Sequence, residues 1–163
     1  MKQIICIGGA TIDYKLKAIH ALAPASSNPV TSFQSFGGVA HNVAANLARL
    51  TRAVHFQGLV GDDAEGQALL ADLKHRNINI DNCLLLPHHN TARYHAVLNI
   101  QGELHIALVD MQIYEHIPTE LFIKSWATTF TDNIIFIDTN LSTEIITQAI
   151  QMRATPYLCI DAV

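Results

Sequence analysis

Polar side chains follow three apolar runs of the sequence, at positions where they could act together on a ligand. Thr11 and Asp13 follow the first run, Asp138 and Asn140 follow a later one, and Asp161 ends another. In open α/β sheets, ligands bind at the carboxyl ends of the strands, so side chains placed there are expected to converge. A carboxylate accepts two hydrogen bonds, and a carboxamide both donates and accepts. The pattern therefore predicts a pocket for vicinal hydroxyl groups, as in a polyol or a ribosyl group.

A second group of candidates lies in the segment FGGVAHN, where a helical pattern begins. Gly37 and Gly38 precede the helix, and His41 and Asn42 fall in its first turn. A helix N-terminus offers free backbone N–H groups, which would add donors to the predicted pocket. Two alternatives stay open: the glycine pair could serve only close packing, and His41 and Asn42 could be capping or solvated residues.

The remaining acidic residues and the metal-binding residue types have structural explanations. Asp62 and Asp63 precede a helical pattern and are expected to cap it rather than to bind a metal. Asp138 could equally support an Asx-type turn. The nine histidines include no H-E-x-x-H pattern, and the three cysteines lie far apart without a C-x-x-C pair. We therefore predict no metal site and free thiols in a reducing compartment.

Apolar runs alternate with helical patterns along the chain, which predicts an α/β fold built on a parallel sheet. Core strands are predicted at residues 3–10, 54–61, 133–138 and 157–161. Helices are predicted from Gly38 to Leu50, from Asp62 to Arg76 with a stop at Asn77, from Pro118 to Thr128, and after the cap Ser142.

The segment between residues 93 and 110 has a different pattern. RYHAVLNI and ELHIALVD alternate apolar and polar residues, and Gln101-Gly102 lies between them. Alternation predicts a sheet with one face open to water or to a ligand. We predict a small β appendage with a two-stranded hairpin, whereas residues 19–32, with two prolines and three serines, are predicted to form a loop.

Composition limits the kinds of partner. The chain has 163 residues, 50% of them hydrophobic, which suits one globular domain, and a formal net charge of −4 with scattered basic residues. The sequence has no stripe of basic residues of the kind that binds nucleic acid, and no apolar run reaches the length of a membrane span. The N-terminus lacks the features of a signal peptide, so a cytoplasmic protein is expected. Neither a P-loop nor a G-x-G-x-x-G motif is present.

Three segments together resemble the ribokinase-like (PfkB) family of carbohydrate and nucleoside kinases. These are IICIGGATIDYK, FGGVAHNVAANLARL and GLVGDDAEGQALLADLKHRNINID, and the resemblance covers essentially the whole chain. Within the family, SSNPVTSFQSFGGVAHNVAANLARL is most similar to the pseudouridine kinases. The resemblance implies a ribokinase-like core with a small β-sheet lid, whose strands lie near residues 10–36 and 90–110. Residues 1–163 would be the N-terminal part of a single domain of this kind.

The resemblance also implies roles for individual residues. Asp13 would end the first strand and accept hydrogen bonds from two hydroxyls, and Asn42 and Asn140 would complete the grip on the sugar. Gly37 and Gly38 would let the backbone approach the sugar closely. His41 falls where pseudouridine kinases often have Arg. The complete set of implied substrate-binding residues is Asp13, Asn28, Gly37, Gly38, His41, Asn42, Thr91, Tyr94 and Asn140.

The catalytic motif of the family, D-T-x-G-A-G-D, does not occur in the sequence. Asp138-Thr139 has its first two letters but continues as Asn-Leu-Ser. We expect no catalytic residue in this chain: the general-base Asp and the sites for ATP and Mg²⁺ would lie beyond Val163. The chain is then expected to be a fragment that is inactive alone.

The resemblance implies transfer of the ATP γ-phosphoryl group to a ribosyl hydroxyl, with pseudouridine as the substrate. One alternative is another sugar kinase of the family, for ribose or a fructose phosphate. A different class of function is a non-catalytic binding or dimerisation module. A homodimer formed through the lid is expected in either case.

Overall fold

The computed structural model describes residues 2–50, 53–152 and 157–161 of the chain. The strands are β1 Ile4–Ile7, β2 Thr11–Ala18, β3 Val30–Gly37, β4 Val54–Gln57, β5 Leu59–Gly61, β6 Leu84–Leu86, β7 Arg93–Leu98, β8 Leu104–Asp110, β9 Ile134–Asp138 and β10 Leu158–Asp161. The helices are α1 Val39–Leu47, α2 Ala64–His75, α3 Thr119–Ile123, α4 Trp126–Thr129 and α5 Thr143–Met152, and a 3₁₀ turn spans Gln112–His116.

The central sheet has the strand order β10-β9-β1-β4, and every neighbouring pair is parallel. The inner strands β1 and β9 are apolar on both faces because both faces are covered, whereas β4 carries His55 and Gln57 on one face and the edge strand β10 is largely exposed. Ile5 and Ile7 of β1 pack into one core cluster with Trp126, whereas Cys6 points to a second cluster with Phe56. The predicted parallel α/β architecture is therefore confirmed.

A second sheet, here called the lid sheet, has the strand order β3-β2-β7-β8. The hairpin β7–β8 forms as the alternation predicts, but it is only half of this sheet. β2 pairs with β7 in parallel and with β3 in antiparallel orientation. Asp13 consequently lies inside β2 of the lid sheet, not at the end of the first core strand. β3 also takes residues 30–32 from the predicted loop.

The predicted strand at residues 54–61 is interrupted at Gly58. β4 belongs to the central sheet, whereas β5 pairs with the short strand β6 in a separate two-stranded sheet. A Cβ at Gly58 would overlap the Phe56 ring and lie 2.7 Å from the Gly8 carbonyl oxygen. The backbone thus bends where only a glycine fits.

The helix boundaries follow the predicted caps with one exception. Asp63 caps α2 by accepting from the Gly66 N–H at 2.7 Å, and Ser142 accepts from the Ile145 N–H at 3.3 Å. The predicted helix from Pro118 is instead two short helices that separate at Ser125. The Ser125 carbonyl accepts from the Thr129 N–H at 2.9 Å and so begins the hydrogen-bonded turn of α4.

The described helices give no indication of a membrane-spanning segment. Across residues 2–50, 53–152 and 157–161, none of them combines the length and apolar character needed to cross a bilayer.

Candidate functional site

A cavity of about 320 Å³ lies between the carboxyl edge of the central sheet and the lid sheet. Its lining comes from β2, α1, the lid and the turn after β9. The lining residues are Gly9, Thr11, Asp13, Gly38, Val39, Asn42, Tyr94, Val109, Met111, Tyr114 and Asn140. The lid sheet contributes the Asp13 carboxylate together with Tyr94 and Val109, and the opposite side carries the carboxamides of Asn42 and Asn140.

Five of the sequence-predicted residues meet in this cavity: Asp13, Gly38, Asn42, Tyr94 and Asn140. Asp13 and Tyr94 are cross-strand partners on β2 and β7, so their side chains share one face of the lid sheet. The Thr11 hydroxyl donates to the Asp13 carboxylate at 2.7 Å and orients it. The cavity thus offers an acceptor carboxylate opposite two carboxamides, as the pattern of polar residues predicts.

The glycine pair is required by contacts within the protein itself. Gly38 has φ 96°, and a Cβ there would overlap the Gly9 carbonyl oxygen. A Cβ at Gly37 would overlap the Asp13 carboxylate. The absence of side chains lets the start of α1 press against the β1–β2 loop, which brings Asn42 close to Asp13. Close packing, the alternative left open by the sequence, is therefore part of the explanation.

Asp138 organises the site from beneath. It is fully buried, and its Oδ2 accepts from the N–H groups of Gly9 at 2.8 Å and Ala40 at 2.9 Å. Its Oδ1 accepts from the Asn140 N–H at 3.0 Å, which is the Asx-type turn considered above. The carboxylate therefore ties three cavity segments together: the β1–β2 loop, the start of α1 and the turn after β9.

The start of α1 has fewer free donors than the sequence suggests. The Ala40 N–H is bound by Asp138, and the His41 N–H donates to the Gly9 carbonyl at 3.2 Å. Because both N–H groups already donate hydrogen bonds within the protein, they are not available to a ligand. The start of α1 therefore serves the site mainly by positioning its residues.

Tyr114 is a cavity residue that sequence reasoning missed. Its hydroxyl accepts from the Ala10 N–H at 2.7 Å and donates to the Ala10 carbonyl at 2.9 Å. Burial raises the pKa of this phenol far above its usual value, so the hydroxyl stays protonated. The residue lies in an irregular 3₁₀ turn, where periodicity carries no signal.

His41 does not line the cavity but lies behind it. Its ring is 3% exposed and packs edge-on to Phe36 and Phe56 at centroid distances of 6.4 Å. Its Nδ1 lies 3.2 Å from Asn42 Oδ1. With the proton on Nδ1, this bond holds the Asn42 oxygen and leaves its NH₂ group for the cavity. His41 thus positions Asn42 and does not line this cavity.

Two other predicted ligand residues lie elsewhere. Thr91 is fully buried, and its hydroxyl donates to Asp63 at 2.7 Å and accepts from the Gly61 N–H at 3.1 Å, which makes it a structural residue. Asn28 accepts from the Ala23 N–H at 2.7 Å and fixes the β2–β3 loop beside a different cavity. The structure brings neither side chain to the site: Thr91 is held by residues about 30 positions away and Asn28 by its own loop.

The buried His41 predicts a pH dependence of stability. Burial lowers its pKa in the folded state below the ordinary value of 6.5, so the unfolded chain binds the proton more readily. Stability conferred by neutral His41 is therefore present above about pH 6.5 and is lost as pH falls through and below that value. Urea unfolding at pH 7.5 and pH 5.5 should show a larger drop for the native protein than for His41→Phe. An equal drop would contradict this assignment.

Gly38→Ala is expected to destabilise the protein by at least about 2 kcal/mol, because it adds a clash with the Gly9 carbonyl to a strained backbone angle. Gly102→Ala is the matched control, since Gly102 has φ 88° and nothing within 4 Å of the added Cβ. The difference between the two variants in the free energy of unfolding, measured with urea, gives the cost of the clash with the Gly9 carbonyl. Equal losses would show that the approach of α1 to the β1–β2 loop is not tight.

Comparison with known proteins identifies the family. The profile of the pfkB family carbohydrate kinases matches residues 1–155. The chain is 31% identical over 160 residues to pseudouridine kinase of Escherichia coli (strain K12), which covers 98% of this chain and 51% of that protein. The chain thus spans about half the length of this curated relative.

Solved structures show the same architecture. A carbohydrate kinase from Agrobacterium tumefaciens matches with a TM-score of 0.78 and 25% identity, over 100% of this chain and 54% of that one. Ribokinase from Cryptococcus neoformans var. grubii serotype A, solved in complex with ADP, matches with a TM-score of 0.77 and 16% identity, over 98% and 48% of the two chains. The fold is therefore ribokinase-like, and the chain belongs to the pfkB family of carbohydrate kinases.

Proposed function

We propose that this chain provides the sugar-binding part of a kinase that transfers the γ-phosphoryl group of ATP to a ribosyl hydroxyl, with pseudouridine as the substrate. The carrying observation is the cavity in which Asp13 faces the carboxamides of Asn42 and Asn140 under the lid sheet. The identity to a pseudouridine kinase supports the choice of substrate.

Each group has a distinct task in this proposal. The Asp13 carboxylate accepts from two vicinal hydroxyls, and the Asn42 and Asn140 amides complete the hydrogen bonds of the sugar. Tyr94, Val109 and Met111 cover the bound sugar from the lid side. Exclusion of water by such a cover protects a phosphoryl donor from hydrolysis.

The cavity favours an uncharged acceptor over a sugar phosphate. Among the described residues that line it, none is Lys or Arg. A phosphate group would need such a partner, because charge-assisted bonds to Arg or Lys are its usual recognition. Ribose and nucleosides fit this lining better than fructose 6-phosphate does.

ATP and Mg²⁺ belong to the proposed reaction, but the cavity residues do not fit them. The described lining has no cationic side chain, and two N–H groups at the start of α1 are already bound within the protein. We therefore assign no residue of this chain to the triphosphate or its metal, and the phosphoryl group is expected to be held elsewhere in the complete enzyme.

Isothermal titration of the protein with pseudouridine, uridine, ribose and fructose 6-phosphate tests the proposal. Pseudouridine is expected to bind most tightly and fructose 6-phosphate most weakly. ATP-dependent phosphorylation of pseudouridine by the complete enzyme is the second readout. Preference for fructose 6-phosphate would favour the sugar phosphate alternative, and absence of all binding would refute the sugar site.

A second candidate function, homodimerisation through the lid sheet, rests on its exposed apolar side chains. Phe33 and Leu104 are 58% and 57% exposed. Exposed apolar clusters of this kind mark interaction surfaces. Sedimentation equilibrium should show a dimer that Leu104→Glu dissociates, and a monomeric native protein would contradict the dimer.

A further inference from the structure

The lid sheet is fastened to helix α2 by a cluster of polar side chains, here called the lid anchor: Tyr14, Arg93 and Glu65. The Tyr14 hydroxyl donates to one oxygen of Glu65. Arg93 donates to the other oxygen from Nε at 2.7 Å and lies 2.6 Å from it through Nη2. One carboxylate thus binds two strands of the lid sheet at once.

The anchored residues are sequence neighbours of the lid residues in the cavity. Tyr14 follows Asp13 in β2, and Arg93 precedes Tyr94 in β7. Because successive side chains of a strand point to opposite faces, the anchor lies on one face of the lid sheet and the cavity residues on the other. A bond that fixes the anchor face also fixes how far Asp13 and Tyr94 reach over the cavity.

The residues around the lid anchor are themselves held in place by hydrogen bonds and packing. Asp63, next to α2, accepts from the Thr91 N–H at 2.8 Å and from the Thr91 hydroxyl, two residues before Arg93. Leu69 and Leu73 hold α2 in the core with 0% exposure. The Tyr14 ring stacks on His95 with a centroid distance of 4.9 Å, which limits its own freedom. Motion of the lid sheet relative to α2 therefore requires the anchor bonds to break.

The anchor is stronger than an ordinary surface pair. The side chains of Arg93 and Glu65 are 27% and 21% exposed, so water screens them incompletely. The contact is also charge-assisted: two guanidinium nitrogens of Arg93 converge on one oxygen of Glu65, and the Tyr14 hydroxyl engages the other oxygen.

We propose that Glu65 is a positioning residue for the sugar site: its carboxylate holds the lid sheet at the height at which Asp13 and Tyr94 engage the bound sugar. This role rests on the proposed function, since it takes the cavity of Asp13 and Tyr94 as the sugar site. Glu65 itself touches no substrate in this role and acts through its two anchored strands.

Glu65→Gln keeps the volume of the side chain but removes the nearer of the two charges that bind Arg93, since Asp63 lies 3.5 Å from the same guanidinium and Glu65 lies 2.6 Å from it. Pseudouridine is expected to bind roughly 3- to 30-fold more weakly, the range found for residues that couple to a site without touching the ligand. Tyr14→Phe should weaken binding in the same direction. The double variant should be little weaker than Glu65→Gln alone, because both changes break one linkage.

Asp72→Asn is the matched control, because Asp72 is another carboxylate of α2 and pairs with Arg76 at 2.6 Å, away from the lid sheet. Titrations are run at a temperature at which thermal melts show every variant folded. A merely structural role of Glu65 would then lower the stoichiometry or the melting temperature and leave the dissociation constant unchanged. That outcome, or equal weakening by Asp72→Asn, would overturn the proposal.

Hydrogen–deuterium exchange without ligand separates this proposal from the proposed function. Amides of β7 and β8 should exchange faster in Glu65→Gln than in the native protein and in Asp72→Asn. If the native protein binds no ribosyl ligand, the proposed function fails, and the exchange comparison alone decides on the anchor. Unchanged exchange in Glu65→Gln would overturn it.

Discussion

Asp138→Ala is expected to destabilise the protein by about 3–5 kcal/mol, because it leaves three backbone donors, two of them buried, without an acceptor. These donors are the N–H groups of Gly9, Ala40 and Asn140. The loss is a large part of the ordinary stability of a domain, about 5–15 kcal/mol. Sugar binding should fail as well, even in the folded fraction, since the three segments that carry the cavity lose their common tie. Urea unfolding measures the first effect and calorimetric titration the second.

Two further variants make this prediction specific. Asp110→Ala removes an exposed carboxylate of β8 and should change stability by no more than about 0.5 kcal/mol. Asp138→Asn keeps the volume but offers only one oxygen, and its NH₂ group would face a donor, so most of the loss should persist. Native-like stability of Asp138→Asn would show that the carboxylate is not the tie between the three segments.

Asp13→Ala is expected to weaken pseudouridine binding by at least about 100-fold. Each hydrogen bond to a charged group contributes about 1.5–3 kcal/mol, and two sugar hydroxyls would lose their acceptor. The fold should survive, because the side-chain bond that Asp13 makes within the protein is with the adjacent Thr11 hydroxyl. Calorimetric titration and thermal melting of the same sample separate the two effects.

The comparison with Asp13→Asn distinguishes charge from shape. The amide retains one acceptor oxygen, so its affinity should lie between those of the native protein and Asp13→Ala. Glu120→Gln, which changes an exposed carboxylate of α3 that does not line the cavity, should bind as the native protein does. Native-like binding by Asp13→Ala would remove Asp13 from the site and leave the cavity without its assigned acceptor.

The sequence predicts the core of this fold because local pattern and burial agree there. The strands around Ile5, Ile135 and Cys159 are continuous apolar runs, and the caps Asp63 and Ser142 mark helix starts. The residues alone do not predict β2 as a separate strand, although TIDYKLKA alternates clearly, because Gly8-Gly9 and Asp13 together resemble the end of one core strand. They predict part of β3 as a loop because of its polar residues, and only the resemblance to the family places lid strands near residues 10–36, where β2 and β3 lie.

Within the site, the sequence predicted Asp13, Asn42 and Asn140 and the Asx-type turn at Asp138, but not the long-range supports. Tyr114 and Asp138 bind backbone atoms of residues distant in sequence, and no local pattern encodes such contacts. Conversely, Thr91 and Asn28 have residue types suited to sugar binding, yet hydrogen bonds within the protein already engage them. Whether a polar residue lines the cavity or bonds within the fold depends on its position in the tertiary structure, which the spacing of residues in the sequence does not specify.

A crystal structure of the protein with pseudouridine tests the central claim most directly. The ribosyl group should lie in the cavity between α1 and the lid sheet, with two hydroxyls within hydrogen-bond distance of the Asp13 carboxylate. Asn42 and Asn140 should contact the same group, and Tyr94 should cover it. A ribosyl group bound elsewhere, or bound in this cavity without contact to Asp13, would contradict the account.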